Sequence, residues 1–207
     1  MLKINKKFGK IPDDKTIKKT IEALKKNGMN AFIVKNGNEA KIKVLELIPK
    51  NAEVMNMTSM TLDAINISKE INESGNYNSI KNRFAKMDSN KNKSEMRRLG
   101  AVHDYVVGSV HAITQKGNVM IASATGSQLP SYSYGAGKVI WIVGAQKIVK
   151  DLDEGLKRLY EYSLPLEDER ARKVYGMGSG INKILVINKE FQPDRITIII
   201  VKEKLGF

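Results

Sequence analysis

The chain has 207 residues, of which 42% are hydrophobic and 28% charged, the balance of an ordinary globular fold. Cysteine is absent, which excludes disulfides, thiol nucleophiles, thiolate-bound zinc and ordinary iron–sulfur clusters. The net charge of +13 comes from lysines spread along the whole chain, so a solvated basic surface is expected rather than a nucleic-acid groove.

No run approaches the roughly 18 apolar residues of a membrane span. The opening segment MLKINKKFGKIPDD lacks the apolar core of a signal peptide, so a cytoplasmic protein without a membrane partner is expected. Pro12-Asp13-Asp14 opens a helix that carries Ile17, Ile21 and Leu24 at helical spacing and ends near Gly28. A short apolar strand over 31–34 follows. Asn36-Gly37-Asn38 then starts a helix with Ala40, Val44, Leu47 and Ile48, stopped at Pro49. A second strand over 53–57 runs at once into Thr58-Ser59-Met60-Thr61 and a helical stretch reaching Ile67. This alternation of helix and strand favours a mostly parallel, helix-covered α/β sheet. Between residues 74 and 92 the pattern weakens to a turn, a short helix and a polar loop, with no domain boundary; Ser94 and Glu95 open another helix.

The run over 104–149 is the most informative. It predicts a strand over 105–113, a turn at Gln115-Lys116-Gly117-Asn118 and a strand over 119–124, which together form an antiparallel hairpin. A polar loop, a short helix over 129–134 and a fully apolar central strand over 139–143 come next. Asp151 caps a helix bearing Leu152, Leu156 and Leu159; Pro165 starts another, ended by Gly176. Two C-terminal strands over 183–188 and 196–201 are separated by a turn at Gln192-Pro193-Asp194.

Candidate ligand-binding residues fall where small polar residues follow strands. Thr125, Gly126, Ser127 and Gln128 leave one strand, and Thr58, Ser59 and Thr61 leave another; exposed N–H and hydroxyl donors at such joins hold anions. Either loop also reads as a plain cap or turn. Lys147, just after the central strand, is a point charge for phosphate or carboxylate, or a solvated lysine. His111 is the candidate proton handler, expected on one strand face with Val107, Ser109 and Ile113, and Asp104 a candidate partner for it; a buried structural histidine is the plainer reading. With two histidines, His103 and His111, no metal site and no cofactor are expected. Gly176-Met177-Gly178-Ser179-Gly180 lacks a preceding strand, so it reads as a flexible loop or lid rather than a dinucleotide fingerprint. Glu167-Asp168-Glu169-Arg170 reads as a solvated helix start.

Several of these residues, in order, resemble the LUD (lactate-utilisation) domain family: Arg97-Arg98, Asp104-Tyr105, Ala112-Ile113-Thr114-x-x-Gly117, Tyr134-Gly135 before Val139, Val143-Gly144-x-x-Lys147-Ile148-Val149, and Leu205-Gly206-Phe207. Thr58-Ser59-Met60-Thr61-Leu62 resembles the family's early strand-to-helix loop. The resemblance implies a single domain over 1–207, less well matched over 1–50 and 74–98. It also implies the open-sheet fold shared by ribose-5-phosphate isomerases and CoA transferases. By the same resemblance the chain is linked to use of lactate or another hydroxy acid, as a binder of a small anionic metabolite with no assigned chemical step, or as a non-catalytic accessory or sensor with a redox-protein partner. A homodimer is a further implication. The chain departs from the family pattern at His111, where many relatives have Asn, and at Gly126-Ser127-Gln128, where they have Gly-Asn-Arg. It also has Gly176-Met177-Gly178-Ser179-Gly180 where some relatives carry a cysteine cluster.

Overall fold

The structure is a computed structural model and describes residues 3–207. In chain order it runs α1 (Asp14–Lys26), β1 (Asn30–Val34), α2 (Gly37–Leu47), β2 (Glu53–Asn56), α3 (Met60–Ala64), α4 (Ile67–Glu73), β3 (Asn78–Ser79), α5 (Ile80–Ala85), α6 (Lys93–Ala101) and β4 (His103–Gly108). There follow β5 (Ala112–Thr114), β6 (Val119–Ser123), β7 (Ala136–Gly144), β8 (Ile148–Val149), α7 (Leu152–Arg158), α8 (Leu164–Tyr175), β9 (Lys183–Ile187) and β10 (Ile196–Val201). Six strands form an all-parallel sheet in the order β1-β10-β7-β4-β2-β3, and four form a mixed sheet in the order β8-β5-β6-β9.

Period-two alternation builds the layers. Along β7, Val139, Trp141 and Val143 face the mixed sheet and α1, where they meet Ile113, Val119, Ile121, Ile17, Ile21 and Leu24. Ile140 and Ile142 face the other way, onto Ala40 and Val44 of α2, Leu62 of α3 and Ile67 and Ile71 of α4. The outer face of the mixed sheet buries Ala112, Met120 and Val149 under Phe8, Leu159 and Tyr162. The fold is therefore an α/β structure: helices, a parallel sheet, then a second sheet with its own cover. The expected helix caps are present, with Asp13, Asn36 and Asp151 each accepting a first-turn N–H.

The strand expected over 105–113 is two strands in two sheets. The chain leaves β4 at Gly108, where the Tyr132 hydroxyl lies so close that any Cβ would collide with it. It crosses through Ser109, Val110 and His111, then joins the antiparallel ladder, with the His111 N–H donating to the Met120 carbonyl at 2.9 Å. Val107 and Ile113 consequently sit in different cores, not on one face with His111. The two C-terminal strands likewise belong to different sheets, β9 at the edge of the mixed one and β10 inside the parallel one. The helix expected over 129–134 is a single π-helical turn at Ser131–Gly135.

Candidate functional site

β2, β4 and β7 are neighbours in the parallel sheet, and their carboxyl ends release three loops toward the same place. In open α/β sheets this edge is where ligands bind. Residues 57–61, residues 109–111 and Lys147 border a cavity of about 450 Å³, lined on its other sides by residues 122–125, Ser127, Gln128, α8 and residues 177–181.

Lys147 is 2% exposed and lines this cavity. Its Nζ donates to Thr61 Oγ1 at 3.0 Å and Ser109 Oγ at 3.1 Å. The Thr61 hydroxyl in turn donates to the Leu205 carbonyl at 3.2 Å. Gln146 donates to the carbonyls of Leu205 and Gly206 and accepts from the Leu205 N–H, which fastens the 205–207 segment and sets Phe207 in the cavity wall. Gly206 is required there, because its φ is +59° and a Cβ would come within 2.5 Å of Thr61 Oγ1. Burial, with the charge of Arg158 adding to it, pushes the Lys147 amine well below the ordinary lysine value.

Arg158, at the end of α7, is fully buried. One terminal nitrogen donates to the His111 carbonyl and to Ser163 Oγ; Nε and the other terminal nitrogen have no partner among the described residues. Burial lowers it to about 10, so it stays charged at neutral pH. Its guanidinium carbon lies 5.1 Å from the centroid of the Tyr162 ring. His111 is half-buried in the cavity wall, and its Nδ1 accepts from the Ala122 N–H at 3.1 Å, which assigns the ring proton to Nε2. Burial first, then the charges of Lys147 and Arg158, push it down to about 3. It is neutral at physiological pH.

On the facing side, Ser59 caps α3 through the Thr61 N–H, and Lys81 of α5 reaches to 3.5 Å from Thr58 Oγ1. Burial lowers the Lys81 amine, partly offset by Asp63. The Gly/Ser loop is satisfied internally. Ser123 Oγ accepts from the Gly126 N–H at 2.8 Å and donates to Gln128 Oε1 at 2.9 Å, while Thr125 and Ser127 bond each other. The roof is α8, where Arg170 makes two 2.7 Å bonds to Glu167.

Of the residues expected from the sequence, Thr58, Ser59, Thr61, Thr125, Ser127, Gln128, Lys147 and His111 line one cavity. Gly126 does not line it; with φ +87° it turns toward Lys183, whose Cδ would meet a Cβ at 2.6 Å. Asp104 does not line it either. It is exposed near the amino end of β4, the opposite end from the cavity, so His111 and Asp104 are not brought together. Lys147 is not a solvated lysine but a buried one. Sequence reasoning missed Ser109, Lys81, Arg158, Glu167 and Arg170; the last two look like a solvated helix start because nothing local shows that α8 folds over a cavity. Among the described residues no three His, Asp or Glu side chains converge, and no helix is long and apolar enough to cross a membrane.

No curated protein matches the sequence. The structure is similar to that of a DUF162 family protein from Deinococcus radiodurans, with a TM-score of 0.58 at 11% identity, over 93% of this chain and 99% of that one. The match at that identity concerns the fold alone. The LUD domain family model matches residues 17–201, and the chain belongs to the LUD domain family.

Proposed function

We propose that this protein binds a small anionic metabolite, a carboxylate or phosphate of the kind met in lactate and hydroxy-acid utilisation, in the cavity at the ends of β2, β4 and β7. One observation carries the reading: Lys147 lines the cavity and Arg158 lies behind His111 of the same wall, both are buried, and neither has a carboxylate partner among the described residues. Burying the Arg158 charge without a counter-ion is costly, and so is holding the Lys147 amine without its proton; a bound anion offsets both. Lys81 adds a third basic group from the opposite side. Thr58, Ser59 and Ser127 bring neutral hydroxyl donors to the lining, while Thr61, Thr125 and Gln128 line it with their own donors engaged in the wall. The Glu167 carboxylate is occupied by Arg170 and adds no free negative charge.

A thermal-shift screen of wild type, Lys147→Met and Ser127→Ala against lactate, glycolate, sugar phosphates and CoA esters tests this. An anion that binds the native state raises its melting temperature by mass action. Lys147→Met removes a lone buried basic group, so the unliganded variant gains about 1–4 kcal/mol and loses the ligand-induced shift. Wild type unmoved by every compound overturns the reading.

The accessory or sensor reading has one observation in its favour. His111 is neutral with Nδ1 bound to the backbone, Asp104 is remote, and Glu167 is paired, so no free acid–base pair faces the cavity. On that reading a bound anion is recognised without turnover, and a redox-protein partner binds the liganded and unliganded forms with different affinity.

A further inference from the structure

We infer that Lys147 is a covalent site, at which the amine condenses with the carbonyl group of a ligand that also carries a carboxylate or phosphate, forming an imine in the cavity. The inference rests on the anion-binding reading and narrows its substrate class to anionic carbonyl compounds, 2-oxo acids foremost.

Lys147 is the one buried lysine among the described residues. Its hydrogen-bond partners are two hydroxyl oxygens, and Thr61 Oγ1 is bound to accept because its own hydrogen goes to Leu205. A neutral amine has two hydrogens for these two acceptors and a lone pair left over to face the cavity; an ammonium would have a third hydrogen with no acceptor among the described residues. No carboxylate stands near to hold the ammonium form, while the Arg158 guanidinium, which keeps its charge, opposes it. Desolvation beside another cation is how a lysine is made nucleophilic at neutral pH. The side chain is also rigidly mounted. It follows the central strand on a 3-10 turn at Ala145–Lys147, and Gly144 before it is packed so tightly that a Cβ would lie 2.2 Å from Gln146 Oε1.

The step balances without an outside reagent. The Nζ lone pair forms a bond to the carbonyl carbon, the C=O π electrons move to oxygen, and one amine hydrogen transfers to that oxygen to give the carbinolamine. The hydroxyl then leaves with the second amine hydrogen as water, and the carbon–nitrogen double bond remains. His111, with its proton on Nε2, offers a hydrogen bond to the carbonyl oxygen in the same cavity. The ligand's anionic group takes the field of Arg158 and Lys81.

The test is borohydride trapping at neutral pH with pyruvate, glyoxylate and glyceraldehyde 3-phosphate, read by peptide mass spectrometry beside thermal shifts for the same compounds and for lactate. Expected is a label on Lys147 ahead of the exposed lysines, with the mass of the oxo compound less one oxygen. The label is lost in Lys147→Met and suppressed by lactate, which competes without a carbonyl. A thermal shift with both pyruvate and lactate but no label on Lys147 overturns the covalent site and leaves anion binding standing. Label confined to exposed lysines overturns it equally. No shift and no label with any compound overturns both readings.

Discussion

His111 uses its two ring nitrogens differently, and this fixes how the protein responds to acid. Nδ1 is tied to the Ala122 N–H, and protonating the ring would place a charge beside Lys147 and Arg158. The group is pushed down from 6.5 to about 3, so between these values the unfolded chain holds a proton that the native state refuses. Stability from this residue is therefore fully present above about 6.5 and is lost as pH falls toward 3. His111→Asn keeps an acceptor for the Ala122 N–H and removes the titration. Urea midpoints measured from pH 7 to pH 4 should show a shallower acid loss in the variant, the wild type losing about 1–3 kcal/mol more across that range. Equal slopes would mean that the ring is not held neutral.

α8 acts on the cavity through its ends. Pro165 lacks the N–H that a regular helix needs, and the chain enters α8 through a π-helical turn at Leu159–Ser163, with the Leu164 N–H reaching the Leu159 carbonyl. At the other end Gly176, with φ +71°, ends the helix in the left-handed conformation, and residues 177–180 beyond it line the cavity. This segment is fastened by Asp168, whose Oδ1 accepts from the Ser179 N–H at 2.9 Å while Oδ2 holds Arg172 at 2.8 Å. The Arg172 bond, then the Ser179 N–H, lowers the Asp168 carboxyl below the usual aspartate value. Asp168→Ala should release the segment. Amide exchange at Ser179 becomes faster while exchange in β7 is unchanged, and unchanged protection at Ser179 would show that the loop is held by other contacts.

Across the whole molecule, Arg195 joins parts far apart in sequence. It is 4% exposed and stands just before β10. Nε donates to the Ala136 carbonyl at 3.0 Å, one terminal nitrogen to the carbonyls of Ser131 and Tyr132, and the other to Glu190 at 2.7 Å. One side chain thus connects the starts of two central strands with the turn that carries Tyr132, which packs edge-on against Trp141 with ring centroids 5.2 Å apart. A lysine cannot reproduce this fork. Arg195→Lys leaves buried carbonyls and Glu190 short of partners and should cost about 3–5 kcal/mol in denaturant unfolding, with the m-value unchanged. A loss below 1 kcal/mol would show that the clamp is dispensable.

The periodicities of 104–149 and of the N-terminal third determined most elements and the α/β class, because strand alternation and helix caps are local in cause; the family was legible in a resemblance of ordered short motifs from Arg97 to Phe207. The same local chemistry placed Thr58, Ser59, Thr61, Thr125, Ser127 and Gln128 at strand ends, where they meet in one cavity. It could not show that Gly108 to Ala112 crosses between sheets, since a continuous apolar strand and a sheet-to-sheet crossing have nearly the same sequence; the Tyr132 hydroxyl above Gly108 decides it. Nor could it show that Lys147 is buried without a counter-ion, that Arg158 lies behind His111, or that Asp104 is at the far end of its strand. Burial and charge pairing arise between residues brought together from distant parts of the chain, and only the packed tertiary structure determines which ones meet.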